Sequence, residues 1–505
     1  MNARSPLWFL ILIISGCGAF VPVTPQSVVA EEKPRGDRPN VLILIGDDHA
    51  GDTLGVAGDP HGATPNIDAL ARQGAYFKAA YCNAPVCTAS RGSFMTGRLP
   101  HAVGVTRLPT PLPDEVTTIG EWLAARDYAT GAIGKMHFNS NKTHGFTTRI
   151  DTPDYNKYLR ANPPIGGDHT TPWRPFKDPA SIWLNSGVKS HGLPDASMEA
   201  TFFTNKAIEF FDKQKNHPYL LVLSFNEPHS PFKFPDDVAK RYAPQEFTAS
   251  PVSEADRRAQ PIIFKDVNAE QTQGIQASYY TSISYLDSKI GRVLKALDDS
   301  GQAENTIVVY IGDNGYNRGH HGRFEKHCFY ERAVRVPFIV RWPKRVPKGK
   351  VITEKVELLD MLPTILELAG QPSPTDIQGQ CRVDLIEGKP GASGRSIVFS
   401  EYLENEEAMV SDGRFKLIVG TGNRKRTDGY VTDDPTPGPY VHLYDRDNDP
   451  EENHDLAGRA EFDEPQKSLE KAMFERITTT RKPGDTPPPE MKPMEAIRWC
   501  LVPRD

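Results

Sequence analysis

The chain has 505 residues, 38% of them hydrophobic and 25% charged, with a formal net charge of −6 and a pI of about 6.2. This is the balance of a globular enzyme large enough to bury a substantial core, and it excludes a general nucleic-acid binder, which is basic. An anionic small ligand stays compatible, because a local cluster of Lys and Arg sets the field inside one cleft.

In chain order, Arg4 precedes a short apolar run over residues 7–14, and Val28-Val29-Ala30 follows as a cleavage site. Charge, then apolar, then small residues is the order of an export signal, assigned to residues 1–30. The run is too short to span a membrane. Ile14-Ser15-Gly16-Cys17 equally fits a lipoprotein signal, in which lipid on Cys17 is the one membrane attachment suggested. Either way the expected location is periplasmic or extracellular. There are six cysteines. Besides Cys17 and Cys87, the residues Cys82, Cys328, Cys381 and Cys500 are either paired, as export permits, or buried thiols.

Residues 35–39 read as a linker. Val41-Leu42-Ile43-Leu44-Ile45 is a continuous β-branched and Leu run, the pattern of a strand buried on both faces. Next, Thr64 predicts a helix cap and Pro65 its first turn, with Ile67, Leu70 and Ala71 on the apolar face and Gly74 as the stop. Further helices are predicted over 117–126, 199–215, 268–299 and 358–369, and strands over 128–134, 219–225, 306–311 and 336–340. The alternation implies an α/β fold over residues 38–370, a large mostly parallel sheet flanked by helices. Residues 151–197 are rich in Pro, Gly, Trp and Asn and read as a long functional loop. From Gln371 the alternation weakens. Short strands over 398–402, 415–419 and 442–444, and a helix over 463–477 capped by Asp463, suggest a smaller α+β domain over 371–505. Its Pro-rich tail, from Lys482, is expected to wrap the surface.

Ligands of open parallel sheets bind beyond the carboxyl ends of the strands. Four predicted strands end in Asp47-Asp48, Lys135-Met136-His137, Asn226-Glu227-Pro228-His229 and Asp313-Asn314-Gly315. Each alone is an ordinary turn sequence, but four in one sheet should converge. Asp47, Asp48, Asp313 and Asn314 offer only oxygen, a set for a hard cation, Ca2+ before Mg2+. Adjacent carboxylates repel unless a cation, Arg or Lys lies between them. The histidines do not show zinc spacing.

Cys87 sits in Pro85-Val86-Cys87-Thr88-Ala89-Ser90-Arg91-Gly92-Ser93-Phe94-Met95-Thr96-Gly97-Arg98. This stretch resembles the core motif of the formylglycine-dependent sulfatases of the alkaline-phosphatase superfamily, Cys-x-Pro/Ala-Ser-Arg followed by Thr-Gly-Arg. The resemblance recurs in order at Gly46-Asp47-Asp48, Thr64-Pro65-Asn66-Ile67-Asp68, Gly134-Lys135-Met136-His137, Pro228-His229, Gly312-Asp313-Asn314-Gly315, Lys326 and Tyr444-Asp445, and covers residues 40–456.

The resemblance implies an alkaline-phosphatase-like fold, hydrolysis of sulfate esters, and a maturation enzyme that oxidises Cys87 to formylglycine. It implies that Asp47, Asp48, Cys87, Asp313 and Asn314 hold Ca2+, and that the hydrated aldehyde attacks sulfur while Asp313 accepts its proton. Arg91 would hold the diol, and Lys135, His229 and Lys326 would surround the sulfate. His229, with Lys326, would protonate the leaving oxygen, and His137 would take the proton whose loss expels sulfate. A helix from Thr88 would favour the developing anion. Many members have Pro where this chain has Ala89, which bears on how completely Cys87 is converted.

For the substrate, export and the loop favour a sulfated polysaccharide or oligosaccharide, with His101, His144 and Trp173 as contacts and Trp183 as a second stacking candidate. Choline sulfate or another small sulfate ester ranks second, because Lys135-Met136-His137-Phe138 with His144-Gly145-Phe146 resembles a stretch of choline sulfatases. Phosphonate monoester or phosphodiester hydrolysis is a further alternative. A non-catalytic glycan-binding protein is the alternative of another class.

Overall fold

The computed structural model describes residues 38–62, 64–164, 174–423, 429–432, 438–482 and 484–504. The signal segment with Cys17, and Trp173, lie outside the described residues.

In chain order the first strands are β1 (Asn40–Gly46), β2 (Ala75–Phe77), β3 (Ala80–Tyr81), β4 (Ala129–Gly134), β5 (Thr148–Ile150), β6 (Tyr219–Ser224) and β7 (Thr306–Gly312). They are followed by β8 (Phe338–Arg341), β9 (Lys350–Ile352), β10 (Val356–Glu357), β11 (Val398–Tyr402), β12 (Glu407–Ser411), β13 (Phe415–Gly420) and β14 (Tyr440–Asp445). The main sheet has eight strands in the order β5-β4-β6-β1-β7-β8-β2-β9. Its first five strands are parallel. β8 runs antiparallel to β7 and β2, and β9 rejoins β2 in parallel. β3 and β10 form a separate pair.

β1 shows why both faces must be covered. Side chains alternate along a strand, so Val41, Ile43 and Ile45 enter one core with Phe94, Met95 and Leu362. Leu42 and Leu44 enter the other, with Ile67, Phe203, Phe210 and Ile290. The helices Cys87–Thr96 and Met361–Leu368 lie on the first face, and Pro65–Arg72, Glu199–Gln214 and Ala269–Asp299 on the second. Burying such a side chain stabilises by about 1.5–3 kcal/mol, so an all-apolar strand is specified only between two layers.

The smaller sheet, β11-β12-β13-β14, is antiparallel throughout. One face packs on the helices Asp463–Thr479 and Pro493–Leu501 through Leu417, Val419, Leu469, Met473, Ile497 and Leu501. Val383, Leu385 and Ile386 belong to the main core, so the segment after Gln371 serves the large sheet before β11 begins.

Several local expectations change. The Thr64 side chain does not cap the helix Pro65–Arg72; its hydroxyl donates to Asp68 and accepts from the Gly55 amide. Gly74 does not stop that helix by a left-handed turn. It is needed because a Cβ there would overlap the Val340 carbonyl oxygen. Asp463 is the first helical residue rather than the cap. The tail from Lys482 is not merely a wrap, since Pro493 starts a helix whose Ile497, Cys500 and Leu501 are buried. The loop 151–197 opens with the helix Thr152–Ala161. Cys82, Cys87, Cys328 and Cys500 are buried free thiols and Cys381 is an exposed one, so the pairing alternative is not realised among the described residues.

Candidate active site

β4, β6, β1 and β7 are consecutive and parallel, so their carboxyl ends share one edge. The four polar strand ends therefore meet there. The helix Cys87–Thr96 comes up beside them, with all ten residues buried. It starts at Cys87 itself, one residue earlier than expected, with Val86 as the N-cap.

Two ammonium groups flank the thiol. Lys326 Nζ lies 3.0 Å from Cys87 Sγ and 2.6 Å from Asp48 Oδ1. Lys135 Nζ lies 3.9 Å from Sγ and is paired with the Asp47 carboxylate. Arg91 is fixed from several sides. Its Nε donates to Asp313 Oδ2 at 2.9 Å, and its Nη1 to Ser224 Oγ at 2.8 Å and to the Lys135 carbonyl. Asp313 Oδ1 accepts from the amides of Asp48 (3.0 Å) and Asn314 (2.9 Å). His229 Nε2 stands 3.7 Å from Asp48 Oδ2. His229 Nδ1 lies 2.7 Å from the Ser230 carbonyl oxygen. That oxygen only accepts, so Nδ1 carries a proton and Nε2 is the nitrogen left for proton exchange. His137 Nδ1 is 3.4 Å from Thr88 Oγ1.

Three buried carboxylates stand against buried Arg91 and Lys326 and the partly exposed Lys135, and their titration is split accordingly. Burial opposes the Asp47 carboxylate, yet Lys135, His229, Arg91 and Lys326 hold it well below the usual range. Burial and the Asp47 charge push the Asp313 carboxyl up to about 7. Burial, then Asp47, pushes the Cys87 thiol up to about 12 in spite of the two lysines. A thiol here is protonated at neutral pH and a poor nucleophile. Burial and Lys326 bring His229 down to about 4, and burial and Lys135 bring His137 down to about 2. An anionic substrate group beside them adds negative charge, which raises both.

The site tests well for a hard cation. Oxygens of Asp47, Asp48 and Asp313 lie within 4.8 Å of one another and all three residues are buried. Among the described residues Asp47 Oδ1, with Arg91 Nη2 3.8 Å away, and Asn314 Oδ1 are buried acceptors without a hydrogen-bond partner. Such atoms are costly unless something polar faces them, and an oxygen-binding ion satisfies both.

Above Cys87 opens a cavity of about 1000 Å³ that Asp48, Lys135, His137, His229 and Lys326 also line. Its outer wall carries residues that the sequence pattern did not single out, among them Asn139, Arg149, Lys233, Glu404, Phe176 and Tyr430. Apart from Arg149, which lies in the short edge strand β5, they come from connections without periodicity. Only the composition of residues 151–197 pointed to Phe176, and nothing pointed to Tyr430, which sits in the β13–β14 connection. The two rings meet edge to face at 5.1 Å. Trp183 is 1% exposed and packs against Phe176 and Phe264, so it is core rather than a stacking surface. His144 is buried edge-on to Phe138. His101 lies elsewhere, with Nδ1 2.8 Å from Glu401 and Nε2 2.9 Å from Thr480 Oγ1. Neither lines this cavity.

One glycine sets the spacing of the strand ends. Gly134 has φ +89, and a Cβ there would overlap the Ser224 carbonyl oxygen. Gly134→Ala is expected to destabilise by about 3 kcal/mol and to lower activity as well, because it displaces Lys135 from Ser224. Thermal melting and kcat on one preparation check both; an unchanged melting temperature contradicts the packing argument.

Known proteins resemble this chain over most of its length. Residues 39–371 match the family described as Sulfatase, and residues 319–479 match one described as N-sulphoglucosamine sulphohydrolase, C-terminal. An arylsulfatase from Clostridium perfringens is 28% identical over 76% of this chain and 84% of its own length. An ulvan-active sulfatase from Formosa agariphila is 29% identical over 88% of this chain and 82% of its own. The crystal structure of a phosphonate monoester hydrolase of Agrobacterium radiobacter superposes with a TM-score of 0.73 at 21% identity, covering 88% of this chain and 96% of that one. At that identity it speaks for the fold alone.

Proposed function

Because the chain belongs to the sulfatase family and is a sulfuric ester hydrolase, we propose that it is exported and desulfates a sulfated polysaccharide or oligosaccharide, using Cys87 matured to formylglycine beside a Ca2+ ion. The observation that carries this is the position of Cys87, between two ammonium groups, at the foot of a 1000 Å³ cavity. A sulfate group fills a small part of such a space. The amide, guanidinium, ammonium and carboxylate groups of the outer wall suit sugar hydroxyls and charges. Phe176, 41% exposed, offers an apolar face to a ring. The ulvan-active relative supports a glycan, and the N-terminal segment supports export.

Asp47, Asp48, Asp313 and Asn314 would hold Ca2+, which supplies Lewis-acid charge and lowers the pKa of an oxygen nucleophile at position 87. The hydrated aldehyde supplies that oxygen, with a second hydroxyl to release sulfate. Arg91, immobilised by Asp313 and Ser224, neutralises the carboxylates and keeps position 87 in register. Lys135 and Lys326 present fixed positive charge where the sulfate oxygens gather it in the transition state, the arrangement that yields most rate enhancement. His229 delivers a proton from Nε2 to the leaving sugar oxygen, and His137 takes the proton that frees sulfate.

His229→Ala is expected to slow desulfation of a sugar alcohol by about 10²-fold or more, and of a nitrophenyl sulfate far less, since that leaving group departs unprotonated. Equal losses on both contradict the acid role. The substrate is tested by measuring sulfate release from sulfated oligosaccharides and choline sulfate, beside turnover of an aryl phosphonate ester. A higher kcat/KM for choline sulfate or for the phosphonate overturns the glycan reading.

A further inference from the structure

A second cavity, of about 410 Å³, opens where the helix Pro100–Val103 meets the C-terminal segment. His101, Arg481, Lys482, Asp485 and Arg504 line it. Among the described residues, three cations, Arg481, Lys482 and Arg504, face one carboxylate, Asp485. Asp485 accepts from Arg504 at 2.9 Å and stands 3.3 Å from Arg481 Nε, so one negative charge serves two guanidinium groups. Among the described residues Lys482 Nζ has one hydrogen-bond partner, the Val103 carbonyl, at 3.4 Å. The Arg481 side chain is 2% exposed; its Nη2 donates to the Cys500 carbonyl, its Nε is ion-paired with Asp485, and its Nη1 has no hydrogen-bond partner among the described residues. Both histidine nitrogens are committed to Glu401 and Thr480. Among the described residues the lining thus carries more positive than negative charge, with Lys482 Nζ only weakly engaged, and an oxyanion balances it.

Its place matters as much as its charge. Thr106 and Leu403 line this cavity, whereas Leu108 and Glu404 line the catalytic one. The Leu108 amide donates to Glu404 at 3.3 Å, and Thr88 and Asn139 hold the Leu108 carbonyl. One strap therefore separates the two spaces, and two residues of chain span at most about 7 Å.

We propose that this cavity is an anion-binding subsite, taking a sulfate or carboxylate group, and that a charged glycan crossing the strap places a distal anionic residue there while the scissile sulfate sits at Cys87. The glycan part rests on the function proposed above. The subsite favours chains over single sugars, giving the enzyme affinity for polymer without changing its chemistry.

The test compares the full-length mature enzyme with a Lys482→Gln/Arg504→Gln variant at 0.15 M salt. The probes are dextran sulfate, inorganic sulfate and a small aryl sulfate. The expected result is about tenfold weaker binding of dextran sulfate, with kcat/KM for the aryl sulfate and the melting temperature unchanged. Loss of inorganic sulfate binding with dextran sulfate affinity intact keeps the subsite and makes its ligand the free anion. Unchanged affinity for both anions overturns the subsite. Because binding is read without turnover, a parent enzyme inactive on the aryl sulfate strikes the catalytic reading and leaves this comparison decisive.

Discussion

Cys87→Ala is expected to lower kcat by about 10⁵-fold or more, the scale of removing a covalent nucleophile, while the protein stays folded. The side chain sits at the first position of a helix whose other nine residues are also buried, and alanine is the best helix former. Truncation there removes one sulfur atom from the core, a loss of about 1 kcal/mol. The ammonium groups of Lys135 and Lys326 remain paired with Asp47 and Asp48, so binding should survive the loss of chemistry. Cys87→Ser sharpens the test. Serine offers one hydroxyl and no second one to release sulfate, so steady turnover should be as low as with alanine. Residual turnover above a few per cent in Cys87→Ala, at native melting temperature, rules out position 87 as the nucleophile.

Stripping divalent metal is the second large effect. With three carboxylates buried together, removal should cut kcat by at least about 10³-fold, and Ca2+ should restore it better than Mg2+. The same loss should be visible without catalysis. An ion bound only to the folded state stabilises it by mass action, so chelation lowers the melting temperature of Cys87→Ala as well. Full activity in chelator, or a melting temperature indifferent to Ca2+, contradicts the oxygen-ligand reading.

The convergence of polar strand ends at one sheet edge was legible because those residues follow strands with short, strongly apolar sequences. The run from Val41 to Ile45 is too short for a typical helix and rich in β-branched residues, which favours a doubly covered strand, and Asp47-Asp48 then emerge at its end. The same logic placed Lys135, His229 and Asp313, and a parallel sheet brought them together. What escaped was held by tertiary contact rather than pattern. β12, Glu407–Ser411, follows an acidic turn and offers only three apolar residues. Gly74 looked like a helix stop, yet its reason is the neighbouring strand's carbonyl. Phe176, Tyr430 and the cationic cavity at Arg481 come from segments far apart in sequence, whose proximity no local spacing encodes. His101 was named as a substrate contact, yet its partners Glu401 and Thr480 belong to the C-terminal domain.

The central claim is chemical, that position 87 is an aldehyde in the working enzyme. Peptide mass spectrometry of the tryptic fragment 79–91, from protein made in its native host, reads it directly. The account predicts the mass of formylglycine or its hydrate at Cys87, with Cys82 of the same peptide still a thiol. A fragment carrying two intact thiols, in preparations that hydrolyse sulfate esters at full rate, would contradict it.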